Sequence, residues 1–188
     1  TLGPYRRVMT LPDSLIDRIL DAGFDGVSID RVDSYYYFGD TEERRTQMVD
    51  LIKRISKYMR DKNPNVIILA QNAEELLDRK DYVEAIDATV KEDLIYGITH
   101  RETSNPAGDI THSTKLLDDS KLKGKRVFVV EYLAKKENIE KARAYMKDHG
   151  FVLYVGQRDL YELSGVVGDE GAAKKEPAPK EAHETSPR

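Results

Sequence analysis

Residues 65–72 read Asn-Val-Ile-Ile-Leu-Ala-Gln-Asn. Five consecutive apolar side chains, Val66 to Ala70, run into two amides without any polar alternation. A strand buried on both faces has this pattern, and such strands belong to parallel sheets. The same rhythm extends in both directions. Upstream, residues 41–60 form an expected amphipathic helix, with Met48, Leu51, Ile52, Ile55 and Met59 at helical spacing and Asn63-Pro64 ending it. Before it, residues 24–30 (FDGVSID) read as a short strand. A helix precedes that strand, capped by Asp13 or Ser14, with Leu15, Ile16, Ile19 and Leu20 on its apolar face and Gly23 as its stop.

Downstream, residues 74–81 read as a short helix and 86–92 as a weaker strand. Residues 96–110 form a polar loop and 111–122 a helix. The run RVFVVEY, residues 126–132, is the clearest strand in the chain. A helix over 137–149 ends at Gly150, and FVLYVGQR, residues 151–158, is the last strand. Strand and helix thus alternate about four times, which predicts an α/β fold with a parallel sheet covered by helices. Such a sheet is either open and doubly wound or part of a barrel. No GxGxxG follows a strand and no GxxxxGK[ST] occurs, so the usual nucleotide-binding reasons for an open sheet are missing.

Composition excludes several classes. The 188 residues carry a net charge of −4, and 34% are charged. The basic residues are scattered, so no nucleic-acid partner is expected. No apolar run approaches the length of a membrane span. The absence of cysteine excludes disulfides, thiolate metal sites and a cysteine nucleophile. The four histidines, at 100, 112, 149 and 183, lack metal-ligand spacing, and no cofactor is expected. Ser28 has no G-x-S-x-G elbow around it. Residues 1–164 form the expected folded unit. Residues 165–188 are the expected tail, rich in Lys, Glu, Ala and Pro and too poor in large apolar side chains to offset ordering entropy.

The polar residues collect where the strands end. The tips are Asp30 with Arg31 and Asp33, Gln71-Asn72 with Glu74, Glu92-Asp93, Glu131-Tyr132, and Gln157-Arg158. In parallel α/β architectures ligands bind at that edge. Carboxylates sharing one rim raise one another's pKa, which suits a site needing one acid and one base. Tyr35, Tyr36 and Tyr37 follow the first tip, and one or two of these rings are expected to stack on a sugar. A single acidic tip is more often a helix cap than a catalyst. Four acidic tips are harder to explain as caps, although Glu74 and Glu75 suit a helix start.

These tips also carry a family resemblance. GFDGVSIDRVDSY, residues 23–35, resembles the GFDGV-x-LD-x-VD-x-Y signature of glycoside hydrolase family 114, whose named activity is endo-α-1,4-polygalactosaminidase. ILAQNAEEL (68–76), IDATVKEDLIYG (86–97), VFVVEYL (127–133) and GFVLYVGQRDL (150–160) agree with it in order. The resemblance implies a partial TIM-type (β/α)8 barrel comprising strands four to eight, with residues 5–10 as a remnant of strand three. It also implies an extracellular or periplasmic glycosidase acting on an amino-sugar polysaccharide.

By that resemblance the strand-four carboxylate is Asp30, with Asp33 as the competing choice, and the strand-six carboxylate is Glu92. Tyr35, Tyr36, Gln71, Asn72, Glu131, Tyr132 and Arg158 would line the sugar subsites. Neighbouring acids and partial burial are expected to hold Glu92 protonated, as a general acid requires. The alternative reading is a truncated, non-catalytic carbohydrate-binding or assembly module. In either case the open barrel edge could bring two copies together.

Overall fold

The structure is a computed structural model and describes residues 14–159 and 166–167. The expected strand-three remnant, Asp13 and most of the expected tail lie outside those residues. Helix α1, Leu15–Asp21, starts on Ser14, whose hydroxyl accepts from the Asp17 amide at 3.1 Å. Strand β1 is Gly26–Ile29 and the short helix α2 is Ser34–Tyr37. Helix α3 runs over Glu42–Lys62, capped by Thr41, and strand β2 over Ile67–Gln71. A 3-10 turn at Glu74–Leu76 and helix α4, Lys80–Ala85, lead to strand β3, Ala88–Glu92. Helix α5 (Ala107–Leu122), strand β4 (Arg126–Glu131), helix α6 (Lys136–His149) and strand β5 (Val152–Val155) follow. Val166–Val167 forms a short strand β6, antiparallel to β5, inside the segment expected as tail.

Strands β1 to β5 are parallel and lie side by side in chain order. This order settles the choice left open by the sequence. A doubly wound sheet reverses direction at a switch point, whereas a barrel adds each strand beside the last. The fold is therefore a sector of a β/α barrel, as the family resemblance implied.

The two faces of the sheet differ. Ile68, Ala70, Val127, Val129, Leu153 and Val155 alternate along their strands and join one core with Val49, Ile52, Met59, Leu117, Ala142 and Met146 from the helices. Ile52 and Met59 of α3 are fully buried in it. Burial of each such side chain contributes about 1.5–3 kcal/mol. The opposite parity, including Leu69, Gln71, Val90, Glu92, Phe128 and Val130, faces the barrel interior. Gly26 makes the first strand pair possible, because a Cβ there would meet the Ile67 carbonyl oxygen at 2.0 Å.

Two helix boundaries differ from expectation. The helix expected over 74–81 divides into the 3-10 turn and α4, because Leu76, Leu77, Tyr82 and Val83 are all buried and one straight helix would turn some of them outward. Helix α5 begins at Ala107 rather than near 111, since Pro106 supplies the N-cap position.

Candidate active site

Each of the first three strands ends in the same way. Asp30, Gln71 and Glu92 are polar residues of inward parity at neighbouring tips. The next residue in each case, Arg31, Asn72 or Asp93, is left-handed, with φ of 54°, 58° and 51°. A non-glycine residue in that region costs roughly 1–2 kcal/mol, less for Asn and Asp, whose short side chains bond locally. Backbone strain of this kind concentrates at functional sites. Here it turns the chain sharply away while the preceding side chain stays on the rim.

The side chains converge. Gln71 Nε2 donates to Asp30 Oδ1 at 3.0 Å and to Glu92 Oε2 at 2.7 Å. Asn72 clasps Glu92 at two points. Its Nδ2 donates to Oε2 at 2.7 Å, and its Oδ1 accepts the Glu92 amide at 2.9 Å. The Tyr132 hydroxyl donates to Glu92 Oε1. Arg158 lies over the Tyr132 ring, 4.5 Å from its centroid, and its guanidinium bonds both oxygens of Asp93 at 2.9 Å. Asp30 also accepts the Arg31 amide at 2.7 Å.

Burial pushes the Glu92 carboxyl up, but the bonds from Tyr132, Asn72 and Gln71 and the charge of Arg158 outweigh it, leaving Glu92 below the ordinary range. The expectation of a protonated Glu92 is thus not met. Neighbouring acids were expected to dominate, whereas donors surround it. Tyr132 is displaced in the opposite sense. Burial and the adjacent Glu92 carboxylate raise its hydroxyl.

Four expected site residues are not part of this cluster. Glu131 has the parity of Val127 and Val129, so it points to the helix side and is fully buried. There its Oε1 accepts the Ile95 amide at 2.8 Å, and burial raises its pKa to about 8. Tyr35 is buried, with Arg45 5.6 Å from its ring centroid. Asp33 occupies the N-cap position of α2 without making a capping bond. Burial raises its carboxyl against the opposing charges of Lys91 and Arg31. Tyr36 is exposed, edge-on to Tyr37, beyond the rim. Asp93 joins the cluster without having been singled out. Its adjacency to Glu92 was the available signal, but not the turn that brings it back to Arg158.

Among the described residues no group of three or more His, Asp or Glu could hold a metal ion. None of the helices described is long and apolar enough to cross a membrane.

Fold and site together define a sector of a β/α barrel with an acidic, amide-lined rim. A model of glycoside-hydrolase family GH114 matches residues 5–173, and the chain belongs to that family. It is 30% identical over 151 residues to an uncharacterized protein of Deinococcus radiodurans, covering 79% of this chain and 47% of that protein. It is 33% identical over 168 residues to the uncharacterized protein MJ1477 of Methanocaldococcus jannaschii, covering 80% and 48%. The chain spans about half the length of these relatives. In structure it is similar to the glycoside hydrolase domain of PelA from Pseudomonas aeruginosa, with a TM-score of 0.63 and 19% identity over 83% of this chain and 64% of that one. It is also similar to Aspergillus fumigatus Ega3, solved in complex with galactosamine, with a TM-score of 0.57 and 16% identity over 77% and 55%.

Proposed function

We propose that the chain carries the carboxylate pair of a glycoside hydrolase acting on an amino-sugar polymer, of the α-1,4-linked galactosamine type, with Asp30 and Glu92 as the pair. The observation that carries this reading is the Gln71 amide, which bonds both carboxylates at once. The bonded oxygens of Asp30 and Glu92 are therefore separated by less than the two bond lengths combined. That is short of the roughly 6.5–9.5 Å that leaves room for a water between the pair, so it favours a retaining double displacement.

In the first step Glu92 gives its proton to the leaving glycosidic oxygen while Asp30 bonds the anomeric carbon and the old C–O bond breaks. In the second, Glu92 takes a proton from water, and that water displaces Asp30. A bound sugar supplies the condition for protonating Glu92. If its hydroxyls engage the Gln71 and Asn72 amides and water is excluded, burial outweighs the remaining donors and Glu92 takes up a proton. With Asp93 paired to Arg158, the carboxylates of Asp30 and Glu92 leave this rim negative, and that charge suits a cationic amino sugar.

The test is incubation with an α-1,4-linked galactosamine oligomer, sizing the products and following the anomeric signals by NMR. The reading expects shorter oligomers with the α-anomer appearing first, and Asp30→Asn and Glu92→Gln each slowing cleavage by about a hundredfold or more. Oligomer binding without cleavage overturns it and supports the non-catalytic carbohydrate-binding alternative.

A further inference from the structure

The pair of carboxylates explains Gln71, Asn72 and Tyr132, but leaves Asp93 and Gly97 without a task. Asp93 belongs to a tightly held loop. Its amide continues the sheet ladder to the Val130 carbonyl at 3.0 Å, and its carbonyl accepts from the Asn105 side chain at 2.7 Å. Asn105 is buried and also holds the Leu94 carbonyl and the Ile98 amide. The Asp93 backbone is therefore fixed on both sides, and its carboxylate is paired with Arg158.

Gly97 completes the seat. Its φ is +103°, and a Cβ there would meet Asp93 Oδ1 at 2.6 Å and an Arg158 nitrogen at 3.2 Å. No other residue type leaves this space open at this φ. Into the space comes Arg158 from the far strand tip, held by both Asp93 oxygens and lying over Tyr132. Its guanidinium is thus already engaged, which restricts the sugar-binding role that its position at a strand tip predicted.

We propose that Asp93 is a positioning residue of this site: with Gly97 it clamps Arg158 over the Tyr132 ring and, through the Tyr132 hydroxyl, fixes the orientation of the Glu92 carboxylate. The inference rests on the glycosidase reading for its catalytic consequence, but the clamp itself is a matter of geometry. A cation over an aromatic face gains energy only while it stays there. One Arg158 nitrogen bonding both oxygens of a carboxylate on an anchored loop keeps it in place. Asp93 bonds Arg158, Arg158 lies over Tyr132, and Tyr132 donates to Glu92, so the action of Asp93 on Glu92 runs through these two side chains.

Two variants separate the clamp from mere folding. Asp93→Asn keeps a residue that tolerates the left-handed turn while removing the charge that grips Arg158. Gly97→Ala keeps every charge and removes the space. The first readout is the Arg158 side-chain NH signal in 15N–1H spectra of the full chain, assigned by its disappearance in Arg158→Gln. In the native chain the Tyr132 ring current shifts this signal upfield. Both Asp93→Asn and Gly97→Ala are expected to lose more than half of that shift.

The second readout is kinetic, on the same galactosamine oligomer. In Asp93→Asn kcat falls about tenfold while KM stays within about twofold, as expected when a reacting group loses its orientation rather than the substrate its binding. An Arg158 signal unmoved by both variants overturns the clamp, whether or not the chain hydrolyses anything. A shifted Arg158 signal with unchanged kcat overturns the link from the clamp to Glu92. A native chain that cleaves no oligomer contradicts the glycosidase reading, while the spectral arm still decides the clamp.

Discussion

Glu92 and Glu131 end adjacent strands of one sheet, yet their environments are opposite. Glu92 faces the barrel interior, where three side-chain donors and a nearby Arg158 hold it below the ordinary carboxylate range. Glu131 faces the helices, fully buried, with its Oε2 unpartnered among the described residues, and burial raises its pKa to about 8. The difference is one of parity. On a strand, a shift of one residue changes the face, and with it the chemistry available to the same side chain. The inward face is amide-lined and strained at its tips. The outward face is a packed core that disfavours the charged form of Glu131.

The largest effect should come from damaging the helix side alone. Met59→Ala empties a fully buried position and is expected to cost about 2–5 kcal/mol in denaturant unfolding. Where the variant remains folded, the chemical shifts of Glu92 and Tyr132 should stay native, because Met59 shares no contact with the rim.

Glu131→Gln sharpens the comparison next. A carboxyl with a raised folded-state pKa stabilises the fold fully below its unfolded value. That contribution is lost as pH rises through the interval up to about 8. Native stability should therefore fall between mildly acidic and mildly alkaline pH. Glu131→Gln should flatten the decline and gain roughly 1–3 kcal/mol relative to the native chain at its alkaline end. A native decline that survives the substitution would assign it to another group.

Tyr132→Phe keeps the ring under Arg158 and removes one donor to Glu92. The Glu92 carboxyl should then titrate higher than in the native chain, read by 13C NMR. Glu131 should not respond. The smallest effect is at the strained tips. Arg31→Gly relieves the left-handed backbone after β1 and should stabilise the fold by up to about 1 kcal/mol in thermal unfolding.

Much of this architecture was legible in the sequence because parallel strands and amphipathic helices announce themselves in apolar patterning. Residues 66–70 and 127–130 need no partner to be read as buried strands. Parity was not legible, for the same reason. In Arg126–Glu131 the strand is apolar on both faces, so nothing in the run distinguishes Glu131 from Tyr132 as the inward residue. Asp30, Gln71, Asn72, Glu92 and Tyr132 do meet at one rim. Tyr35 does not, since the three consecutive tyrosines lie on one short helix that must bury one ring and expose the next two. The Asp93–Arg158 clamp joins residues 65 apart through a loop whose path depends on Asn105 and Gly97, and no local pattern encodes that path.

The most direct test sets the two glutamates side by side. Cleavage of an α-1,4-linked galactosamine oligomer is timed for the native chain, Glu92→Gln and Glu131→Gln under one set of conditions. The inward-facing site predicts that Glu92→Gln loses about a hundredfold or more in rate while Glu131→Gln stays within about threefold of native. Equal losses in the two variants, or cleavage untouched by Glu92→Gln, would contradict it.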